Sequence, residues 1–256
     1  MFQRPSFRVG LGVDDRIDQS AMIQHNKKVP TAFTLTELLV VIAIVGVLAA
    51  LIIPAVKSGL SSAKSVQAVS NLKQTGILVA SYAAENNNRL PYAAVWGKIY
   101  ANQLVYFSRS LSEATVPGFV YATPPQSNER PLPKGFYDPV LDTNRRPQHS
   151  MGAFGVNASI VQEVWSEDEK PTTLSAIARP SLKVIMGSLD NKTSPNSGGW
   201  RFSGEDFVQQ GMNAPDCPDP RNGGKAACLF ADGHVERLDV KNMDQETRRK
   251  YFTLDP

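Results

Sequence analysis

From Leu38 to Val56 the chain carries no charged residue. Nineteen such residues, at about 1.5 Å each in a helix, approach the ~30 Å hydrocarbon core of a bilayer. One carboxylate, Glu37, stands at the mouth of this run, and Lys27 and Lys28 lie just before it. A charge so close to hydrocarbon is costly and marks a functional position. The segment is therefore expected to be a helix, and more than a simple anchor. Its apolar region is too long for an ordinary signal peptide, and no small-x-small site follows it. The two lysines place its N-terminal end in the cytoplasm and everything after Lys57 on the far side of the membrane.

The rest of the 256-residue chain leaves room for one or two domains. The first 32 residues hold five Lys/Arg and three Asp/Glu, so the remainder is nearly neutral. No basic stripe or aromatic-basic interleaving points to nucleic acid. Residues 1–21 mix Arg, Asp and Gly without periodicity, and Met22 to Ala32 forms a compact basic leader. Met22 is the expected start of translation.

Beyond Phe33 the chain reads as helix until Asn86-Asn87-Asn88. Past Pro54 the pattern becomes amphipathic. Val56, Leu60, Ala63, Val66, Val69, Leu72, Gly76, Val79 and Ala83 recur at spacings of three and four, predicting one apolar stripe. About fifty helical residues would extend roughly 75–80 Å. Pro54 lacks an amide hydrogen and is expected to kink the helix or weaken a turn. Gly46 lowers local helix propensity by about 1 kcal/mol relative to Ala. After residue 88 the texture is that of a β-rich head. Strand-like runs occur at Ala153 to Ile160 and Leu182 to Leu189, and a long loop is expected from Asp190 to Lys225. The sharpest hairpin signal is Ala226 to Ala231, Asp232-Gly233, His234 to Val240, where Asp-Gly predicts a type I′ turn.

The basic leader, the block Ala32-Phe33-Thr34-Leu35-Thr36-Glu37, the apolar run, Gly46 and Pro54 together resemble the type IV prepilin and type II secretion pseudopilin family. Asn71-Leu72-Lys73-Gln74 and Tyr82 resemble the helix end of pseudopilin-like proteins. The N-terminal match covers about a fifth of the chain. A second piece, Leu229-Phe230-Ala231-Asp232-Gly233-His234-Val235, resembles the processing-associated domain with a His-x9-Asp-Gly pattern. Asn222 stands where that pattern has His. Gly152, Val156 and Asn157 echo the middle of the same domain.

The resemblance implies cleavage by a membrane aspartyl prepilin peptidase between Ala32 and Phe33, followed by methylation of the new Phe33 amine. The family has glycine before the cut, and Ala32 departs from it. For Glu37 two roles stand side by side. One is capping of the helix N-terminus, where the helix dipole favours an anion. The other is pairing with the Phe33 amine of a neighbouring subunit, which would set axial register in a filament. Gly46 and Pro54 bracket a segment that in this family can lose helicity on assembly.

Other chemistry has weaker support. Of the three histidines, His25 lies in the leader, His149 in a Pro/Arg-rich loop, and His234 beside the hairpin turn. No Ser-centred elbow, P-loop or His-Glu-x-x-His stretch is present, so an enzyme is not expected. Cys217 and Cys228 lie in the exported part and admit either a disulfide or two buried thiols. A zinc site lacks a second ligand pair. Asp190, Asp216, Asp219 and Asp232 offer hard oxygen ligands for Ca2+, although acidic residues in such loops also serve simply as turn formers.

The expected architecture is pilin-like α+β. A leader spans 1–32, a long helix 33–86 crosses the membrane in its first half, and a globular head spans 87–256 with an antiparallel β-sheet. The expected function is a pilin or pseudopilin structural subunit in the bacterial inner membrane, N-terminus cytoplasmic and head periplasmic. Its partners would be prepilin peptidase, an inner-membrane assembly platform and other pilin subunits including copies of itself. The alternative is a membrane-tethered surface or binding protein that uses the prepilin route only for export.

Overall fold

The computed structural model describes residues 34–95, 105–106, 111, 138–140, 154–163, 170–191 and 201–254. The leader, the Ala32-Phe33 junction, Gly152 and His149 lie outside them. The chain divides into two compact units, Met1–Ala50 and Leu51–Pro256, and the boundary falls within one helix.

That helix, α1, runs Leu35–Glu85 without interruption through Pro54. It is long and apolar enough to cross a membrane. It stops at the asparagine run. Asn87 and Asn88 adopt φ of 56° and 62°, a left-handed conformation that asparagine tolerates better than most residues. The Asn88 amide then reaches back to the Ala83 carbonyl at 2.8 Å, and Asn86 Nδ2 donates to the Tyr82 carbonyl at 2.8 Å.

In the second unit the buried face of α1 consists of Ser65, Ala68, Leu72, Thr75, Gly76, Val79 and Ala83. This corrects the expected stripe. Leu72, Gly76, Val79 and Ala83 hold, but Val56, Leu60, Ala63 and Val66 are exposed. The buried face is chosen by size as much as by hydrophobicity. A Cβ built on Gly76 would come 2.7 Å from Leu229 Cδ1 and 3.3 Å from the Gly233 carbonyl oxygen, so a larger residue here would force the Leu229 side chain to move.

The head is built on a six-stranded sheet comprising β3 (Phe154–Asn157), β4 (Val184–Asn191), β5 (Arg201–Phe202), β6 (Asp216–Pro218), β7 (Ala226–Phe230) and β8 (Val235–Leu238). The order is β5-β3-β4-β7-β8, with β6 pairing the far end of β4. A separate pair joins β1 (Ala94–Val95) to β2 (Val105–Tyr106). The large sheet is mixed rather than wholly antiparallel, because β3 and β5 run parallel. The expected long loop from Asp190 to Lys225 also holds β5, β6 and a helix, α2 (Gly204–Gln210), capped by Ser203. A further helix, α3 (Gln245–Phe252), is capped by Asp244, which accepts from the Thr247 amide at 2.6 Å. Hydrogen bonding at Asp244 holds its carboxyl below the usual aspartate range.

Strand β7 is buried throughout, with apolar residues on both faces. Ala227 and Leu229 join the core formed with Ala68, Leu72 and Val79 of α1. Ala226, Cys228 and Phe230 join the opposite core with Phe207 of α2 and Phe252 of α3. The sheet therefore separates α1 from the two short helices. Phe252 meets Phe202 and Phe207 edge-on at centroid distances of 6.0 and 5.0 Å.

Two buried polar side chains latch the end of α3. Lys183 Nζ donates to the Lys250 carbonyl at 3.0 Å, at a helix terminus that favours a cation. Asn157 Nδ2 donates to the carbonyls of Val184 and Phe252, both at 2.9 Å. Asn157→Ala would strip both carbonyls of that donor inside the core. It is expected to cost about 2–3 kcal/mol, read as a lower urea midpoint with an unchanged slope.

Candidate functional site

The N-terminal candidate residues meet in the first turn of α1. Thr34 Oγ1 donates to Glu37 Oε2 at 2.7 Å, and the Thr34 amide donates to the same oxygen at 2.9 Å. The Glu37 amide returns a bond to Thr34 Oγ1 at 3.3 Å. This reciprocal arrangement is a capping box, with Thr34 at the cap and Glu37 three residues on. The Thr-x-x-Glu spacing was present in the sequence, and the box explains how an acidic side chain is tolerated there. Both of these donors go to Oε2, so the cap does not use Oε1.

Below this cap the helix is apolar on every side. Leu35, Leu39, Val41, Ile44, Leu48, Ile52 and Val56 are all more than half exposed. Positions 38 to 56 thus offer hydrocarbon or another helix a continuous apolar surface. Gly46 sits within it, and a Cβ there would touch nothing within 4 Å. Among the described residues, no contact requires the glycine. Pro54 removes one main-chain donor without ending the helix.

The C-terminal motif does not form one site. Asn222 precedes β7 and Asp232-Gly233 follows it, so a whole strand separates them. At about 3.3 Å per residue, the five residues of β7 alone extend roughly 16 Å. The hairpin also differs from the expected type I′ turn. The Gly233 amide bonds the Phe230 carbonyl and the Phe230 amide bonds the His234 carbonyl, both at 2.9 Å. Of Asp232 and Gly233 only the glycine has positive φ, at 90°. This is a three-residue loop closed by a glycine bulge, in which Asp232 keeps a negative φ. Asp232 Oδ1 accepts from the His234 amide at 3.1 Å and lies 2.5 Å from His234 Nδ1. The imidazole stacks on Phe230 with centroids 4.1 Å apart. These contacts shape a turn.

Asn222 belongs to a buried polar cluster. Its Nδ2 donates to Ser188 Oγ at 2.7 Å, and Ser188 Oγ donates to Asp138 Oδ2 at 3.2 Å. Asp138 Oδ1 accepts from the Val140 amide at 3.0 Å. Arg221 Nε lies 4.0 Å from Asp138 Oδ2 and donates to Asp219 Oδ2 at 2.6 Å, while its Nη2 binds the Leu189 carbonyl. Sequence reading missed Asp138 and Ser188, because residues fifty positions apart give no local signal.

No bridge joins Cys217 to Cys228. Both are buried thiols, and burial raises the Cys228 pKa. Each faces the apolar core against α2 and α3. Among the described residues no three His, Cys, Asp or Glu side chains come together as metal ligands. Asp219 is engaged by Arg221 and Asp232 by His234. A cleft of about 280 Å³ lies between α1 and the hairpin, lined by Gly76, Val79, Leu174, Ile185 and Phe230, with Asp232 among its polar residues.

No family model matches the chain, and no curated protein or solved structure matches it.

Proposed function

We propose that this chain is a pilin-like or pseudopilin structural subunit, held in the bacterial inner membrane by the first half of α1 and assembled helix against helix into a filament. The observation that carries this reading is the pairing of a capped acidic residue, Glu37, with an all-round apolar helix directly beneath it. A plain anchor needs no carboxylate at its mouth. A polymer does, because a charge that must find a partner in an apolar environment fixes the axial position of each subunit.

In this reading, prepilin peptidase cuts between Ala32 and Phe33 on the cytoplasmic face and the new Phe33 amine is methylated. The amine of one subunit then approaches Glu37 of the next, reaching Oε1 while Thr34 keeps Oε2. The open space at Gly46 receives a neighbouring helix, and the missing donor at Pro54 gives the helix a softer turn. The head lies in the periplasm and an inner-membrane assembly platform drives polymerisation. A tethered surface protein exported by the same route is the second reading. It shares the processing step and lacks the subunit contact.

The test is the N-terminal sequence and intact mass of the mature protein. Expected is a chain that begins at Phe33 with a methylated amine. A chain that retains Lys27 and Lys28 overturns processing, and the filament reading with it. Cysteines placed in α1 between positions 38 and 56 should then give a ladder of cross-linked multimers. Monomer alone would favour the tether.

A further inference from the structure

The cleft between α1 and the hairpin takes no part in the capped helix start or in the buried polar cluster, and all of its lining lies in the second unit. Its volume is about 280 Å³. A dry cavity of about 150 Å³ holds one benzene ring, so this cleft has room for a ring with a short arm. The space exists because part of its wall is small: Gly76 and Ala80 face it from α1, and Gly233 from the hairpin. A Cβ at Gly233 would meet nothing within 4 Å. Val79, Ile185 and Phe230 supply an apolar wall, each of them buried. Among the described residues Asp232 is the one charged group in the lining. Its two oxygens are unequal. Oδ1 accepts from the His234 amide and faces His234 Nδ1, whereas Oδ2 takes no hydrogen bond among the described residues.

We propose that this cleft binds a small amphiphilic cation, a single ring or branched alkyl group that carries an ammonium, with the apolar part against Val79, Ile185 and Phe230 and the ammonium donating to Asp232 Oδ2. Charge complementarity selects this class of ligand. An anion would meet the carboxylate as a like charge. An uncharged apolar ligand would strip water from Oδ2 and give nothing back. An ammonium replaces that water with a charge-assisted hydrogen bond, and the apolar wall supplies the remaining affinity. The arrangement is that of a small-molecule site, mostly apolar with one polar group that fixes orientation. The carboxylate is already held by the turn through Oδ1, so little ordering is needed when a ligand arrives. The inference concerns the head alone and does not depend on processing or filament assembly.

The probe is phenethylamine, and phenethyl alcohol is its uncharged match. Each is titrated into the full chain in phosphatidylcholine nanodiscs and followed through the NMR signals of labelled Val, Leu and Ile methyl groups. Phenethylamine is expected to shift the Val79, Leu174 and Ile185 methyls saturably and to bind at least about tenfold more tightly than the alcohol. Asp232→Asn keeps an oxygen for the His234 amide and loses the charge, so it should bring the two probes to equal affinity. Ala80→Phe, at an exposed position of α1, fills the cleft and should abolish binding of both. The proposal is overturned by the absence of a saturable shift at these methyls, by equal binding of the two probes to the wild type, by a preference that persists in Asp232→Asn, or by binding that survives Ala80→Phe. Should either variant fail to fold, phenylacetate on the wild-type chain decides. Its exclusion supports the cation site, and binding as tight as that of phenethylamine overturns it.

Discussion

Glu37→Gln is expected to be exported and processed like the wild type and to fail to enter filaments, with incorporation reduced by at least about a hundredfold. Glutamine matters here because it separates the two roles of Glu37. A capping box accepts Gln at the third position, so the bonds from the Thr34 amide and hydroxyl survive the change. What disappears is the negative charge, and with it the attraction that the proposed filament would draw on to hold a neighbouring Phe33 amine. Glu37→Ala removes both roles and is expected to show the same assembly defect together with a frayed first turn. The measurement is the fraction of sheared, sedimentable protein against the membrane-held pool. Normal incorporation of Glu37→Gln would show that the residue serves only as a cap. Loss of processing in either variant would instead mean that the peptidase, and not the filament, reads this position.

Gly204→Ala is expected to be the most damaging single-methyl change in the head. A Cβ at Gly204 would lie 1.9 Å from the Phe252 carbonyl oxygen and 2.9 Å from Asn157 Oδ1. The first of these is backbone and cannot rotate away. The end of α3 must therefore retreat from α2, which pulls Phe252 from Phe202 and Phe207 and weakens the Asn157 bond to the Phe252 carbonyl. The cost is expected to be about 3 kcal/mol or more, at the upper end for overpacking, because packing and a buried hydrogen bond fail together. Urea unfolding of the full chain in micelles reads it as a lower midpoint. Gly59→Ala is the matched control. Its Cβ meets nothing within 4 Å, so it should stabilise α1 locally by up to about 1 kcal/mol. Equal stability of Gly204→Ala and the wild type would show that α3 is free to shift, contrary to the latch formed by Asn157 and Lys183.

Much of α1 was legible because its signals are local. An uncharged run, an asparagine stop and an acid at the helix start act within a few residues of one another. The hairpin location was legible for the same reason. Its turn type was not, because Asp-Gly serves both a two-residue turn and a three-residue loop with a glycine bulge, and the cross-strand register decides between them. The apolar stripe of α1 was assigned correctly only from Val69 onward, where the half-buried Val69 already packs on the core. Hydrophobicity favoured Val66, whereas close approach to the sheet selected the small Ser65 and Ala68. The helices and strands between Asp190 and Lys225 were hidden by a loop-like composition. Their stability comes from packing Phe202, Phe207 and Cys217 into a shared core rather than from local propensity.

The amino-acid order alone determined that this chain has a membrane-length helix with an acid at its mouth, followed by an α+β head that carries an Asp-Gly hairpin. Hydrophobic run length, helix stops and turn residues depend on neighbours in sequence, so no fold was needed to see them. Only the tertiary structure decided that Asn222 and Asp232 stand apart at the two ends of β7, that the two thiols are unbridged, and that Asp138 meets Ser188 and Asn222 inside the head. Those relations join residues up to 84 positions apart, and they exist only because the sheet register and the burial of its two faces bring distant segments together.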